Sequence, residues 1–426
     1  MHLAPFTDPD KPGSYSRDPA LTWQHILDSG EHVGYDDELG LWLIAGHDNV
    51  RAALSDPRRL CNAATLAPVT PPTEQATRVL AGFDAPDVAV SADPPVHART
   101  RAVLRSVFPN TAERAADKWG ALVQRRVTQL ADHLTDRAGT GPVDLVQQFS
   151  TQLPLLVVLD ILGVPADEAS QVLAGSDGFV TLIWGDLAPD VQVRAAQGFV
   201  RFWRYCRAYV ASRAAGTNDS DDLIAELLRY RDNDDGRLTE AEIAGFVINL
   251  IVAGWATTSA AIAHALEHAL TDPHRWTRIG VDAHYAAIHT EETLRHSPPL
   301  DGWLRLTTTD VTVDGVTIPA GSRCLVLLGT ANHDPRIFAD PATFDPGRAR
   351  LSHHLAFGAG PHYCIGAALA RLEIATALQS LAQRLPDLRL APDYQRRFHP
   401  NVAARSHVAM PAGIGSDHCP VAHGES

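Results

Sequence analysis

Residues 357–366 read Phe357-Gly-Ala-Gly-Pro-His-Tyr-Cys364-Ile-Gly366, the pattern Phe-x-x-Gly-x-x-x-Cys-x-Gly, and a stretch with helical spacing follows at once. A cysteine just ahead of a helix N-terminus has its thiolate favoured by the macrodipole and by unpaired backbone N–H groups. Glycines on either side let the backbone turn tightly and approach a large flat ligand closely. The leading aromatic can pack beside that ligand. The stretch is suited to presenting one sulfur to a haem iron. The plain alternative is a buried free cysteine at a helix start, a common place for one.

This stretch resembles the haem-ligand loop of the cytochrome P450 family, and the resemblance extends over nearly the whole chain. It implies that Cys364 is the axial thiolate, which pushes electron density onto iron and favours O–O cleavage. It implies that His362 contacts a haem propionate, that Phe357 packs near the sulfur and that Gly366 belongs to the same cofactor loop. The implied fold is mainly α: one helical domain over 1–426 with small β-sheets enclosing haem b (iron protoporphyrin IX). Residues 413–426 are expected to be a flexible tail. Within the family, the chain looks like a soluble bacterial enzyme, an actinobacterial-type secondary-metabolite oxidase.

Composition sets bounds around this reading. The chain has 426 residues, enough for one large domain or two or three ordinary ones. A net charge of -14 argues against a nucleic-acid binder, which would show a basic excess. The five cysteines, Cys61, Cys206, Cys324, Cys364 and Cys419, are odd in number and widely spaced, giving neither a disulfide framework nor a CxxC metal site. A reducing cytoplasm fits this usage. The N-terminus lacks the charged and apolar regions of a signal peptide. No uninterrupted apolar run reaches the ~18 residues expected of a membrane span.

In chain order, residues 18–29 predict a short helix, Val33 to Ala45 a β-hairpin turning at Asp36 to Gly40, and His47 to Ser55 a helix ended by Asp56-Pro57. Residues 61–92 have no clean period, and a loop of that length in a compact domain is usually functional or disordered. By resemblance it covers the distal side of the haem. Asp93-Pro-Pro opens the next helix, on which His97 and Arg101 are i,i+4 and share a face. Two donors on one face suit a carboxylate pair, and by resemblance both bind propionates. A solvated basic face is the alternative. Asn110 to Arg137 and Val143 to Leu162 predict long helices. Residues 165–214 predict two more, joined near Gly185 to Pro189, which by resemblance form a mobile lid.

Thr239 to Leu270 predicts the longest helix, with Ala253-Gly254-Trp255-Ala256-Thr257-Thr258 in its middle. By resemblance this is the distal wall. Gly254 and Thr257 stand beside the oxygen site, and Thr257 donates a hydrogen bond there and relays protons. The alternative is that Thr257 bonds back to an upstream carbonyl. The family usually holds Asp or Glu where this chain has Ala256, and a smaller or polar residue where it has Trp255. Ala256 carries no proton, so delivery must use water, Asn249 or the substrate. The lost acid is also compatible with radical coupling of phenols or indoles, which needs no oxygen insertion. The same helix carries His264-Ala-Leu-Glu267-His268, an inverted zinc-protease pattern. Structural histidines are the preferred reading.

Residues 271–296 predict two helices, the second ending in Glu292-Thr-Leu-Arg295. With Arg348, by resemblance, Glu292 and Arg295 form a buried structural network. Pro298 to Trp303 lines the active site by resemblance, and Arg305 matches another propionate-binding arginine. Residues 304–330 predict short strands. The tail Phe398 to Met410 is expected to form a last hairpin with its tip, Val402 and Ala403, close to substrate. The expected substrate pocket is Asn249, Ala253, Leu300 and Val402.

The resemblance implies a haem-thiolate oxidase that takes electrons from NAD(P)H through an external ferredoxin and ferredoxin reductase, acting as a cytoplasmic monomer with no nucleic-acid or membrane partner. Arg101, Arg348 and Arg371 are candidates for a basic ferredoxin-docking face. Ala256 tips the reading toward oxidative C–C or C–N coupling of aromatic small peptides, such as tryptophan-containing cyclic dipeptides. Ordinary hydroxylation or epoxidation of a macrolide, terpene or polyketide is the alternative. A haem-thiolate sensor and a hydrolase built on His264 and His268 are more distant.

Overall fold

In the computed structural model, which describes residues 1, 3, 14–15, 17–137, 141–217, 220–233 and 238–415, the helix Glu240–Leu270 is the longest element. Its 31 residues span about 46 Å at 1.5 Å per residue. A reciprocal cap starts it. Thr239 Oγ1 accepts from the Glu242 N–H at 3.2 Å, and Glu242 Oε2 accepts from the Thr239 N–H at 2.8 Å. Asp272 ends the run by capping the next helix, Pro273–Val281. The helices Gln152–Leu162, Ala169–Trp184, Pro189–Ala214 and Ala367–Arg384 all pack on the long helix. By length and hydropathy it would suffice to cross a bilayer, which the search for an uninterrupted apolar run missed. Most of its residues are buried against those neighbours, and a helix apolar all round is what the core of a large globular domain requires.

Ten strands, β1 Val33–Asp36, β2 Leu41–Ile44, β3 Leu60–Cys61, β4 Val143–Asp144, β5 Gly302–Thr307, β6 Val311–Val313, β7 Val316–Ile318, β8 Arg323–Leu327, β9 Leu388–Leu390 and β10 Pro411–Ile414, form three small sheets among the described residues. The first has the order β1-β2-β8-β5-β3. Its β2–β8 pair is parallel, with Leu43 opposite Leu325, and its other pairs are antiparallel. This sheet matters to the site because β5 carries Arg305, and β3, with Cys61 opposite Leu306, delivers Asn62 next to it. The second sheet is β4-β10-β9, and the third is the hairpin β6-β7. The mainly helical architecture with small sheets is the expected one.

The hairpin at 33–45 and the paired helices at 169–214 and 273–296 form where the sequence places them. Four expectations need correction. Residues 61–92 are not irregular throughout: Glu74–Leu80 is a helix capped by Thr73, seven residues long and so too short to show a period. Val143 to Leu162 is not one helix. It begins as β4, passes through a π-turn at Val146–Ser150 and becomes α-helical only at Gln152–Leu162, because Val143 is drawn into the sheet by Ala412. Phe398 to Met410 does not form a regular hairpin. Only the bridges Phe398–His407 and Leu300–Ala404 appear. The expected tail begins later than 413, since Gly413 and Ile414 pair with Arg389 and Leu388 in β10. Residues 416–426 lie outside the described residues. The helix Leu223–Asn233 was not anticipated.

Candidate active site

The cysteine loop rides on the helix His47–Ser55. Gly360 has φ +68°, and a Cβ there would stand 2.8 Å from both Leu54 O and Ser55 Cα, so no other residue fits. The Cys364 N–H donates to Phe357 O at 2.9 Å, closing the loop under its own sulfur. Gly366 caps the helix Ala367–Arg384, and its N–H points at the Cys364 sulfur. Cys364 counts as exposed, yet protein surrounds it. The two observations agree once the cavity is considered: the sulfur opens into an internal space. That burial pushes the thiol up, opposed by the Gly366 N–H, Arg101 and Arg371.

Behind the loop, the Arg371 guanidinium lies 4.5 Å from the centre of the Phe357 ring and pairs with Glu291. The ring of His354 reaches the same carboxylate at 3.0 Å. Arg371 is therefore committed to bracing the loop rather than free for a docking face. Arg348 is buried too, with its Nε 3.3 Å from Glu292. Glu292 and Arg295 face one another, as their spacing predicts, in a two-pronged pair, and both side chains are fully buried, as the resemblance implies.

The Cys364 sulfur faces a broad, mostly apolar cavity. Asn249, Ala253, Gly254, Ala256, Thr257 and Thr258 line it from the long helix. Phe357, His362, Cys364, Ile365 and Gly366 line it from the cysteine loop, and Arg101, Arg305 and Leu300 from elsewhere. Val402 does not. It is fully buried with its N–H bonded to Trp184 O, and Ala404 and Ser406 take the lining place expected of it. Trp255 also faces away, its Nε1 donating to Thr151 O at 3.2 Å. A Cβ at Gly254 would meet Val158 Cγ2 at 3.4 Å, ordinary van der Waals contact, so the packing of the helices does not require glycine there. Thr257 Oγ1 donates to Ala253 O at 2.9 Å, the back-bonding alternative of the sequence reading.

At one side of the cavity four donors crowd together without a carboxylate paired to either arginine among the described residues. The His97 ring lies 3.9 Å from that of His362, and His97 Nε2 and Arg101 Nε are buried without a partner. Arg305 bonds only neutral oxygens, Leu304 O at 2.7 Å and Thr65 Oγ1 at 3.2 Å. Burial lowers every group, neighbouring cations add to it at His97, Arg101 and His362, and Asp93 pulls the other way at His97 and Arg305. Burial pushes Arg305 down to about 10, and burial with His97 and the two arginines pushes His362 down to about 3. His97 and Arg101 are lowered too, mainly by burial. Cations buried with no anion are costly, so the arrangement calls for a ligand bearing negative charge. Haem, with two propionates and an iron that takes a thiolate, fits this donor set. Cys364 would hold the iron, and His97, Arg101, Arg305 and His362 the propionates.

The sequence reading missed several members. Asn62 joins His362 at 2.8 Å to Asp93 at 3.0 Å, and Thr65 braces Arg305. Neither has a local signal, because the contact is made by β3 against β5. Glu373, two turns into the cysteine helix, lines the cavity with Oε2 unpartnered among the described residues, and burial pushes its carboxyl well above the usual carboxylate range. Glu291 had a signal, a second acid beside Glu292. His264 Nδ1 contacts Ser297 O at 2.7 Å and His268 Nε2 contacts Ser297 Oγ at 2.9 Å, so both rings already have partners.

The model of the family described as Cytochrome P450 matches residues 284–397. The chain is 32% identical to Cytochrome P450 monooxygenase PikC of Streptomyces venezuelae, over 93% of this chain and 91% of the relative. It is 33% identical to Mycinamicin IV hydroxylase/epoxidase of Micromonospora griseorubida, over 87% of this chain and 88% of the relative. A solved intact type IV self-sufficient cytochrome P450 monooxygenase superposes with a TM-score of 0.88 at 31% identity, covering 98% of this chain and 54% of that one.

Proposed function

The chain belongs to the cytochrome P450 family of oxidoreductases, and from that premise we propose that it is a monooxygenase inserting one oxygen atom, by hydroxylation or epoxidation, into a small, largely apolar natural product such as a macrolide, terpene or polyketide. The observation that carries this is the Cys364 sulfur opening into a large cavity whose other wall is the Asn249–Thr258 stretch of the long helix. The names of the two relatives, a monooxygenase and a hydroxylase/epoxidase, support oxygen insertion.

Haem held by a thiolate supplies dioxygen activation and substrate oxidation, chemistry that belongs to the cofactor. The chain's own residues do the rest. Cys364 holds the iron, while the Gly366 N–H and the helix N-terminus keep negative charge on the sulfur tolerable. His97, Arg101, Arg305 and His362 fix the cofactor's orientation through its carboxylates. Apolar side chains such as Val158, Phe179 and Leu250 keep water out of the cavity. Thr257 gives up its bond to Ala253 O and turns its Oγ1 proton into the cavity, a rotation that costs one weak local hydrogen bond. Ala256 offers no second proton, so resupply comes through water or the Glu373 carboxyl.

Electrons come from NAD(P)H through an external ferredoxin and its reductase, and the enzyme works as a cytoplasmic monomer of one catalytic domain, of an actinobacterial secondary-metabolite type. The missing acid at Ala256, which lines the cavity, favours a second reading: radical coupling of aromatic small peptides.

Purified holoenzyme with a surrogate ferredoxin, reductase and NADPH, given a panel of macrolides, terpenes and tryptophan-containing cyclic dipeptides, separates these. A product heavier by one oxygen is expected. A product at twice the substrate mass less two hydrogens would replace insertion by coupling, and no product from any bound molecule would sink both.

A further inference from the structure

The cavity lining is poor in polar groups once the cofactor's cradle is set aside. Arg101, Arg305 and His362 belong to that cradle, and Glu373 is an acid, not a cation. No cation is left over for a substrate anion among the described lining residues. Walls such as Phe179, Ile183, Trp184, Leu300 and Trp303 are apolar or aromatic.

Within this lining Asn249 has a defined orientation. Its Nδ2 donates to Gly245 O at 2.8 Å, one turn back on the same helix. A backbone carbonyl can only accept, so the amide nitrogen must face it and cannot be exchanged with the oxygen. Oδ1 is thereby turned the other way, and the bond to Gly245 is the only one the Asn249 side chain makes among the described residues. The side chain is half-buried and lines the cavity. A half-buried acceptor with no protein partner is matched by a ligand that brings a donor, and left unsatisfied by one that does not. Sites built on such a group discriminate strongly against analogues lacking the matching hydrogen.

We propose that Asn249 Oδ1 is the acceptor that selects the substrate: an uncharged, mainly apolar molecule that presents an N–H or O–H group, with carboxylate-bearing molecules rejected. This rests on the monooxygenase reading for the identity of the cavity, and it narrows the substrate class.

The test uses holoenzyme and three matched probes, 4-phenylphenol, 4-methoxybiphenyl and biphenyl-4-carboxylate. Dissociation constants come from the shift in haem absorbance and, independently, from calorimetry. The phenol is expected to bind about tenfold more tightly than the methyl ether, and the carboxylate most weakly. Asn249→Leu should abolish the preference for the phenol while leaving the methyl ether within about twofold of wild type, a pattern that a general loss of structure would not give. Asn249→Asp keeps acceptor oxygens and should retain the preference. If the leucine variant fails to fold, Asn249→Ala makes the same cut. Equal affinity for phenol and ether, no phenol binding at millimolar concentration, tightest binding by the carboxylate, or a preference that survives loss of the amide each overturns the proposal. Discriminating binding without any oxidised product would instead sink the monooxygenase reading and leave this inference standing.

Discussion

At Arg295 the guanidinium meets Glu292 through Nε and Nη2, both at 2.7 Å, and spreads its remaining donors over Asn332 O at 3.0 Å, Pro341 O at 2.9 Å and Thr343 O at 3.2 Å. Glu292 in turn accepts from the Asp345 N–H at 2.9 Å and from Arg348. At Arg405, equally buried, Nε bonds Asp301, whose Oδ2 also accepts from the Tyr15 hydroxyl at 3.1 Å, and the ring of Tyr15 lies 4.2 Å beneath, but Nη1, Nη2 and Asp301 Oδ1 have no partner among the described residues. Burial pushes Asp301 up to about 6, opposed by Arg405 and the Tyr15 hydroxyl. Both pairs are out of water, yet only the first recovers its desolvation through hydrogen bonds. A buried pair stabilises when its geometry and surrounding bonds are complete. The first fastens a helix to the 339–348 segment. The second ties the cavity-lining strip at Leu300 to the strip at Ala404.

Breaking the complete network should be the most damaging change. Arg295→Ala leaves Glu292 buried beside abandoned carbonyl groups and is expected to cost roughly 3–5 kcal/mol. A denaturant midpoint within experimental error of wild type would erase the distinction between the two networks.

Acid should come next, because histidines pack around the first network. His289 and His296 are pushed down to about 4 and His264 to about 3, all chiefly by burial, with Arg295 adding to the effect at His296. His268 and His333 lie well below the usual histidine range for the same reason. Such groups stay neutral in the fold but take protons in the unfolded chain below about pH 6.5. Stability is therefore full above that pH and falls as the pH drops from about 6.5 toward 4, by up to roughly 1.4 kcal/mol per pH unit for each histidine kept neutral. Unfolding curves that coincide at pH 7 and pH 5 would show that these rings are not neutral and buried as described.

The smallest effect is expected from removing the incomplete pair altogether. The double change Asp301→Leu with Arg405→Met should shift stability by less than about 1 kcal/mol, in either direction, since an unsatisfied ion pair is readily matched by apolar packing. The equivalent swap at Glu292 and Arg295 should lose several times more. Equal losses at both sites, read from denaturant midpoints, would mean that the partner count in the fold does not govern either pair.

The two networks also differ in how they can be read. Glu292 and Arg295 sit three residues apart on one helix, so their meeting is written in the spacing, and Arg348 lies in a recognisable Phe-Asp-Pro-Gly-Arg stretch. Asp301 and Arg405 are 104 residues apart and meet only because Leu300 pairs with Ala404. The same division runs through the site. Cys364, His362, Phe357 and Gly366 are continuous in sequence, and His97 with Arg101 share a helical face. Asn62 and Thr65, from another part of the chain, left no trace. Val402 was misplaced for a related reason: it was expected at the tip of a hairpin, and there the chain makes isolated bridges and ties the Val402 N–H to Trp184 O instead.

The sequence by itself determined the thiol, the two donors one turn apart, the long helix with its Gly254–Thr257 stretch, and the absent acid at Ala256. Each is a local pattern whose meaning depends on helix geometry or on the chemistry of a single side chain. Tertiary structure alone decided that four donors converge with no carboxylate paired to either arginine, that Trp255 turns away while Ala256 faces inward, that Thr257 bonds back to Ala253, and which way the Asn249 amide points. These depend on which surfaces are brought together and which polar atoms are then left without partners. That is a sum over the whole chain, and no window of sequence contains it.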